Sequence, residues 1–482
     1  MRRQPARPIS LAMLCLMAAA PYAAGQTSPP AQPAQQNPAK KSSTSAGKQA
    51  STGGAAGASA GTASSSTSGA AKTPAKQPAA KSPSAKAAAT PKGPAAAKSF
   101  KEKGDASAAA LKFDDAIGNY RKSIDAKPDY TPALLALGDL YFEKTGHYEG
   151  AIEAYERALR LEPKNARALY RLGYALSEKE RYAEALAPLL EASRLAPSDA
   201  ATQHELGYVH YKLNDGAKAV AAYREALRLD PSDAKAWFGI GDVSYFVAKK
   251  YAECVEPYRQ GLRLDAKNAE VHYRLGWVLN ELGKYPDALP AVQEAVRLAP
   301  DHPEHQAELG FTLRKLNRAE EALAAYEEAA KAKPEYAAAY AGQGDVYFFD
   351  LKEYDKAAAA YQQALKLDGK NATVLHNLGW AFNELDRFKE AVAPLQEAVR
   401  LQPEYASAHT ELGYAYSGLK RFDEALREHR EALRLQPDLA IAYFNLGLTH
   451  FAMGNRADAY QQYEKLVSLK SDYAGKLLER MK

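Results

Sequence analysis

Few residues in this sequence are spaced for covalent or metal chemistry. His204-Glu205 opens like the two-histidine zinc helix, where a second His four residues on would complete the ligand pair, but Tyr208 stands there. Asp301, His302 and His305 gather carboxylate and imidazole in one turn. Such a group can graze a metal, although it more commonly punctuates a solvent-facing turn. Cys15 and Cys254 are the two thiols, too few for a disulfide framework or a cysteine zinc site. No Gly-rich phosphate loop occurs. The expectation is a protein that is not an enzyme and uses no cofactor and no metal.

The spacing does suit recognition. Rings and carboxylates recur at one slot along the chain: Asp105, Asp139, Tyr174, Tyr208, Asp242, Trp277, Phe311, Asp345, Trp380 and Tyr414, ending at Leu448. Three residues later come Phe142, Tyr211, Tyr245, Asn280, Phe348, Asn383 and Phe451; four residues earlier come Tyr170, His204, Phe238, Tyr273, His376 and Phe444. Offsets of three and four put these side chains on one helical face. One reading packs the rings between adjacent helices. The other makes an aromatic, acid-punctuated lining that binds an extended partner, since rings give large contact area at low entropic cost. The candidate lining is Asp139, Tyr174, Tyr208, Asp242, Trp277, Asn280, Phe311, Asp345, Trp380, Asn383 and Tyr414.

The elements that must position this face are set by a repeat. A Gly is followed by Ala twelve residues on, Ala seven further and Pro five beyond, as in Gly173/Ala185/Ala192/Pro197 and Gly310/Ala322/Ala329/Pro334. Eleven units of 34 or 35 residues fill 97–473. Apolar residues three, four and seven apart, such as Leu169, Leu172 and Leu176, make a helix with one greasy stripe. The second helix carries Leu186, Leu189 and Leu190 before Pro197 stops it. Gly and Ala belong where the helices cross. Neither helix can hide its stripe alone, so stability must come from stacked neighbours. A longer period overlies this one: Gly138, Gly241, Gly344 and Gly447 are 103 residues apart, as are Gly173, Gly276 and Gly379. Units 131–165, 234–268 and 337–371 each have one extra residue, expected in the turn between their helices.

Over 97–473 the sequence resembles the tetratricopeptide repeat family. The resemblance implies an all-α, right-handed superhelical solenoid of about eleven antiparallel helix pairs, with the first helices lining a concave groove. Departures are modest: Cys254 and Gly261 replace the two Ala of one unit, and Ala266, Gly369 and Ser471 replace the Pro. Pro188, Pro257, Pro290 and Pro394 fall inside second helices, where slight kinks are expected. Two familiar uses of the family are not matched. Lys101 stands without the Lys and Asn partners of a chaperone-binding carboxylate clamp. Asn precedes the Gly by two only at Asn377 and Asn445, so no asparagine ladder runs through. Arg171/Glu205 and Arg274/Glu308 are read instead as ion pairs between units.

The amino terminus is of another kind. Met1–Arg7 is basic, Ile9–Ala20 apolar or small, and Ala23-Ala24-Gly25 offers small residues for cleavage, the order of a secretory signal over 1–25. Residues 26–96 are nearly all Ala, Ser, Thr, Pro, Gly, Gln and Lys. Such a chain cannot offset its ordering entropy and is expected to be a disordered linker. Residues 1–100 hold twelve basic residues and no acidic one, leaving 51 basic and 58 acidic in the rest. A mildly acidic body counts against a nucleic-acid partner, and no run of ~18 apolar residues offers an ordinary membrane span. Residues 474–482 read as a polar closing helix.

The sequence therefore points to an exported protein of bacterial type, in the periplasm or cell envelope or secreted beyond it. Its expected role is a non-catalytic scaffold binding protein or peptide partners, with weak contact of the basic linker to anionic envelope surfaces. The alternatives are a carbohydrate-binding scaffold in polysaccharide export, since rings with Asp and Asn also suit sugar faces, and an accessory subunit of an envelope enzyme.

Overall fold

The structure, a computed structural model, describes residues 91–482. The signal at 1–25 and all but the last few residues of the 26–96 linker lie outside the described residues. Among the described residues, 23 α-helices occur and no strand. In chain order they alternate first helix, second helix eleven times before a last short one, α23 (Tyr473–Arg480). Contacts divide them into two units, one ending at Leu213 and the other beginning at Asn214.

The unit up to Leu213 holds α1 (Pro94–Ala109) to α7 (Ala200–Lys212). Its pair α5 (Ala166–Glu178) and α6 (Tyr182–Leu195) shows why the sequence folds as it does. Asn165 Oδ1 accepts the Ala168 amide at 3.0 Å and starts α5. Gly173 lies against Leu189, so close that a Cβ there would overlap the Leu side chain, and Ala185 and Ala192 are wholly buried. Only small residues permit this helix separation, which explains the Gly–Ala–Ala spacing. Pro188 sits in the middle of α6, and the helix runs on through it.

The unit from Asn214 opens on α8 (Gly216–Leu229) and continues through seven first-and-second pairs to α22 (Arg456–Ser468) and α23. The same contact recurs: Tyr258 fills the space at Gly241, Tyr326 at Gly310 and Leu395 at Gly379. Cys254, in the place of the first Ala, is buried and donates to the Tyr251 carbonyl at 2.8 Å. Burial pushes its thiol up to about 12. In the last pair the space at Gly447 is filled by Leu477 of α23, which also buries Tyr473 beside Phe444.

Two expectations change. The extra residue of each 35-residue unit does not lengthen the turn. It widens the end of the first helix into a π-helical segment, at Tyr141–Thr145, Val243–Val247 and Val346–Leu351. A π turn absorbs one residue inside a helix, so the second helix keeps its register. Consistently, α21 (Ala440–Ala452), from a unit without the insertion, has none. The turn itself is constant: two residues before every second helix the backbone is left-handed, at Gly146, Gly283 and Gly454 but also at Leu111, Glu180 and Lys352. The second change concerns charge. Arg171 pairs with Glu143 at 2.7 Å rather than with Glu205, and Arg274 pairs with Asp242 at 3.0 Å and Glu270 at 2.9 Å. An Arg two residues before the Gly reaches back along the stack, because residues 28 to 32 positions earlier lie beside it.

Candidate functional site

From Asp139 to Tyr414 the slot after the Gly takes three forms, repeating every three units. In the first form it is an aspartate. Asp139 accepts from Tyr155 Oη at 2.7 Å, and Arg167 pairs with it at 2.8 Å. Asp242 accepts from Tyr258 at 2.8 Å and pairs with Arg274, which is itself buried. Asp345 accepts from Tyr361 at 2.8 Å and Asn377 at 3.3 Å, with Arg314 at 3.5 Å. Asp242 and Asp345 are buried and Asp139 half-buried. Each carboxylate thus joins its own second helix, sixteen residues on, to the next first helix.

In the second form the slot is a ring within a cluster. Tyr174 meets Phe142 at 5.0 Å between centroids, and Phe142 meets Tyr148 at 5.9 Å. Trp277 meets both Tyr245 and Tyr251 at 5.3 Å. Trp380 meets Phe348 at 4.8 Å, and Phe348 meets Tyr354 at 5.3 Å. One ring of each cluster comes from a π-helical segment and one from the start of the following second helix. Apart from the tilted Phe348–Trp380 pair these contacts are edge-to-face, a favoured geometry for aromatic pairs.

Behind these rings Ser177, Asn280 and Asn383 donate to Glu205, Glu308 and Glu411, 28 residues later; the Asn280 bond is 2.6 Å and the Asn383 bond 2.9 Å. All three carboxyl groups are buried. Burial pushes Glu205 and Glu411 up to about 7, against the opposing hydrogen bonds from Ser177 and Asn383.

In the third form the ring is half-buried and backed by one partner. Tyr208 lies edge-on to Tyr182, Phe311 to Tyr285 and Tyr414 to Phe388, at 6.2, 6.4 and 5.7 Å. Lys212 Nζ sits over the Tyr208 and Tyr182 rings at 5.6 and 5.7 Å, and Lys315 over Phe311 at 5.4 Å. Burial lowers the Lys315 ammonium below its ordinary range, with Arg314 adding to the effect.

Of the expected lining, then, Asp242, Asp345, Asn280 and Asn383 are buried with partners inside the array, and Trp277 is 9% exposed. Tyr174, Tyr208, Phe311, Trp380, Tyr414 and Asp139 keep part of their surface in solvent. The sequence reading missed the rings that open the second helices and the glutamates one turn beyond the second-form rings, Glu178, Glu281 and Glu384. The 103-residue period would have found both. In the His302–His305 turn the two imidazoles stack at 4.2 Å, and His302 pairs with Glu304 at 2.9 Å. Among the described residues no group of three or more His, Cys, Asp or Glu side chains is placed to hold a metal ion. No described helix is long and apolar enough to cross a membrane.

Family models for the tetratricopeptide repeat match residues 142–200, 204–256, 244–303, 306–336, 335–404 and 440–473, and a model for the TPR repeat matches 419–454. Among curated proteins, 90 residues are 31% identical to the small glutamine-rich tetratricopeptide repeat-containing protein 2 of Mycosarcoma maydis, covering 19% of this chain and 25% of that protein. The chain thus spans about a quarter of the length of the curated relative it matches. Among solved structures it is similar to YrrB, described as a TPR protein with an unusual peptide-binding site. That likeness is 26% identical over 39% of this chain and 98% of the other, with a TM-score of 0.35. Yeast Tom70 is 15% identical over 79% and 93%, with a TM-score of 0.35. Pseudomonas aeruginosa pilF is 24% identical over 44% and 95%, with a TM-score of 0.37.

Proposed function

The chain belongs to the tetratricopeptide repeat family, and from that premise we propose that it is a non-catalytic scaffold of the cell envelope that binds polypeptide partners on the face of its first helices. One observation carries this reading. Tyr208, Phe311 and Tyr414 are partly exposed, yet each is held edge-on by a ring from the preceding unit. A ring fixed before binding gives contact area without the cost of ordering it. The Asp and Asn groups that would hydrogen-bond a sugar are mostly buried among internal partners, so the polypeptide reading is favoured over the carbohydrate one. Export rests on the basic, apolar, small-residue order of 1–25.

The test is a triple substitution, Tyr208→Ser, Phe311→Ser and Tyr414→Ser, with in-cell crosslinking followed by fractionation. These half-buried rings are better targets than Trp277, whose loss would open a cavity in a ring cluster. Partners crosslinked to the natural chain should be envelope polypeptides, and the variant should lose them while its helical circular dichroism is kept. Equal recovery by both proteins refutes the ring face, and recovery of cytosolic partners alone refutes the location.

A further inference from the structure

None of the slot rings lines a cleft of about 480 Å³ between α10 (Tyr251–Leu264), α11 (Ala269–Glu281) and α12 (Tyr285–Leu298), within the unit that begins at Asn214. Its size is that of a small-molecule site. Leu262, Leu275, Leu279 and Ala291 give it an apolar lining, and Arg259, Arg263 and His272 add charge and an imidazole.

A later unit shows what this one lacks. His272 and His409 each stand four residues before the Gly of their first helix. In each, Nε2 meets the carbonyl six residues back, Ala266 at 3.1 Å and Pro403 at 3.0 Å. His409 Nδ1 then meets Glu428, fifteen residues after Gly413, at 2.6 Å. Fifteen residues after Gly276 the chain has Ala291 instead, and His272 Nδ1 has no partner among the described residues. Burial lowers both imidazoles, but at His409 the Glu428 bond overcomes it and raises the group above its ordinary value, whereas His272 stays below.

The arginine beside it is also without its usual partner. Near the end of a second helix a base commonly pairs with a Glu three residues earlier: Arg194 with Glu191, Arg297 with Glu294 and Arg400 with Glu397, at 2.5 to 2.6 Å. In α10 that Glu is replaced by Gln260, which bonds Glu256 at 2.5 Å. Of the two carboxylates lining the cleft, Asp287 lies 3.7 Å from Arg259 and Glu294 is held by Arg297. Arg263 therefore has no carboxylate partner among the described residues. An unpaired guanidinium, an unpaired imidazole nitrogen and an apolar lining meet where the later unit places a carboxylate.

We propose that this cleft binds a carboxylate carried on a short apolar chain, the carboxylate taking the place that Glu428 holds in the later unit and the chain lying over Leu262, Leu275 and Leu279. The carboxylate accepts from Arg263 and from His272 Nδ1. Because Nε2 serves the Ala266 carbonyl, donation from Nδ1 makes His272 an imidazolium in the complex. A free aliphatic acid and the free end of a polypeptide with an apolar last residue share this chemistry. The site is separate from the ring face and does not rest on the reading of that face.

The experiment is calorimetric titration of the full chain with octanoate, octan-1-ol and two short peptides ending in Leu, one with a free carboxyl terminus and one amidated. The acids should bind at least about tenfold tighter than the alcohol or the amide. Tighter binding of octanoate than of the free-ended peptide assigns a free acid, and the reverse a chain end. Binding of neither acid, or of alcohol and amide as tightly as the acids, overturns the proposal. Arg263→Gln, at an exposed side chain, should weaken the bound acid at least about fivefold. Ala291→Glu supplies the carboxylate from within, as Glu428 does, and should abolish binding while helical circular dichroism is kept. Unchanged affinity in Arg263→Gln, or in a folded Ala291→Glu, overturns the site; should Ala291→Glu fail to fold, Arg263→Gln decides alone.

Discussion

Glu411 gives the sharpest test of the repeated joints. Its carboxyl is buried, accepts from Asn383 at 2.9 Å and titrates at about 7 in the folded chain, against 4.5 for a free side chain. The folded state therefore holds the proton more tightly than the unfolded one. Its contribution to stability is complete below pH 4.5 and is lost as pH rises through 7, because the unfolded chain releases the proton first. At 1.36 kcal/mol for each pKa unit, the loss between pH 4 and pH 8 is about 3 kcal/mol. Glu411→Gln keeps the shape and the oxygen that Asn383 bonds but has nothing to ionise. Relative to the natural chain, the variant should gain about 3 kcal/mol between pH 4 and pH 8, and most of the gain should fall between pH 5 and 7. Urea titrations at pH 4, 6 and 8 measure it. Amide exchange of α17 (Ala372–Glu384) and α19 (Ala406–Gly418) reports the local opening that a stacked array permits. A stability difference that stays flat across this range would show that Glu411 is ionised in the folded chain, and the account of these joints would fail.

Two further substitutions probe the frame. Leu111 is 72% exposed and left-handed at φ 57°, so Leu111→Gly should stabilise by about 1 kcal/mol, seen as a higher melting temperature; an unchanged melt would mean the turn carries no strain. Gly310 faces Tyr326, whose ring carbons would lie 2.9 Å from an added Cβ, so Gly310→Ala should cost about 1–3 kcal/mol in urea denaturation. A cost under ~0.5 kcal/mol would show that the helices separate freely.

The helix pairs were legible because a contact between two backbones leaves few choices: only Gly fits against Leu189 or Tyr258, and only small residues, Ala in most units and Cys254 and Gly261 in one, lie between the axes. The face was legible only as a direction. Asp242 and Trp277 occupy equivalent slots after a Gly, and nothing local says that Asp242 will be enclosed by Tyr258 and Arg274, residues 16 and 32 positions away. Burial at that slot is decided by three elements at once, and a single helix shows only one of them. The extra residue in 131–165 was counted correctly and placed wrongly, since YFEKTGH has no Pro and its Gly146 serves the turn either way. What assigns the insertion to the helix is Phe142, which the π segment presents to Tyr174.

The π-helical segments bear on how such a chain can change in length. Each one delivers a ring to the following unit, and each carboxyl joint needs a donor 28 residues upstream. Excising one 34-residue second-form unit would set a first-form neighbour against a third-form one, and excising a third-form unit would set second against first; either leaves the joints mismatched. Excising 103 residues returns every partner to its own kind. Growth and loss by whole triplets is thus the cheap evolutionary step, and an engineer wishing to shorten or extend this protein should cut at equivalent points in successive blocks, for example after Pro231 and Pro334.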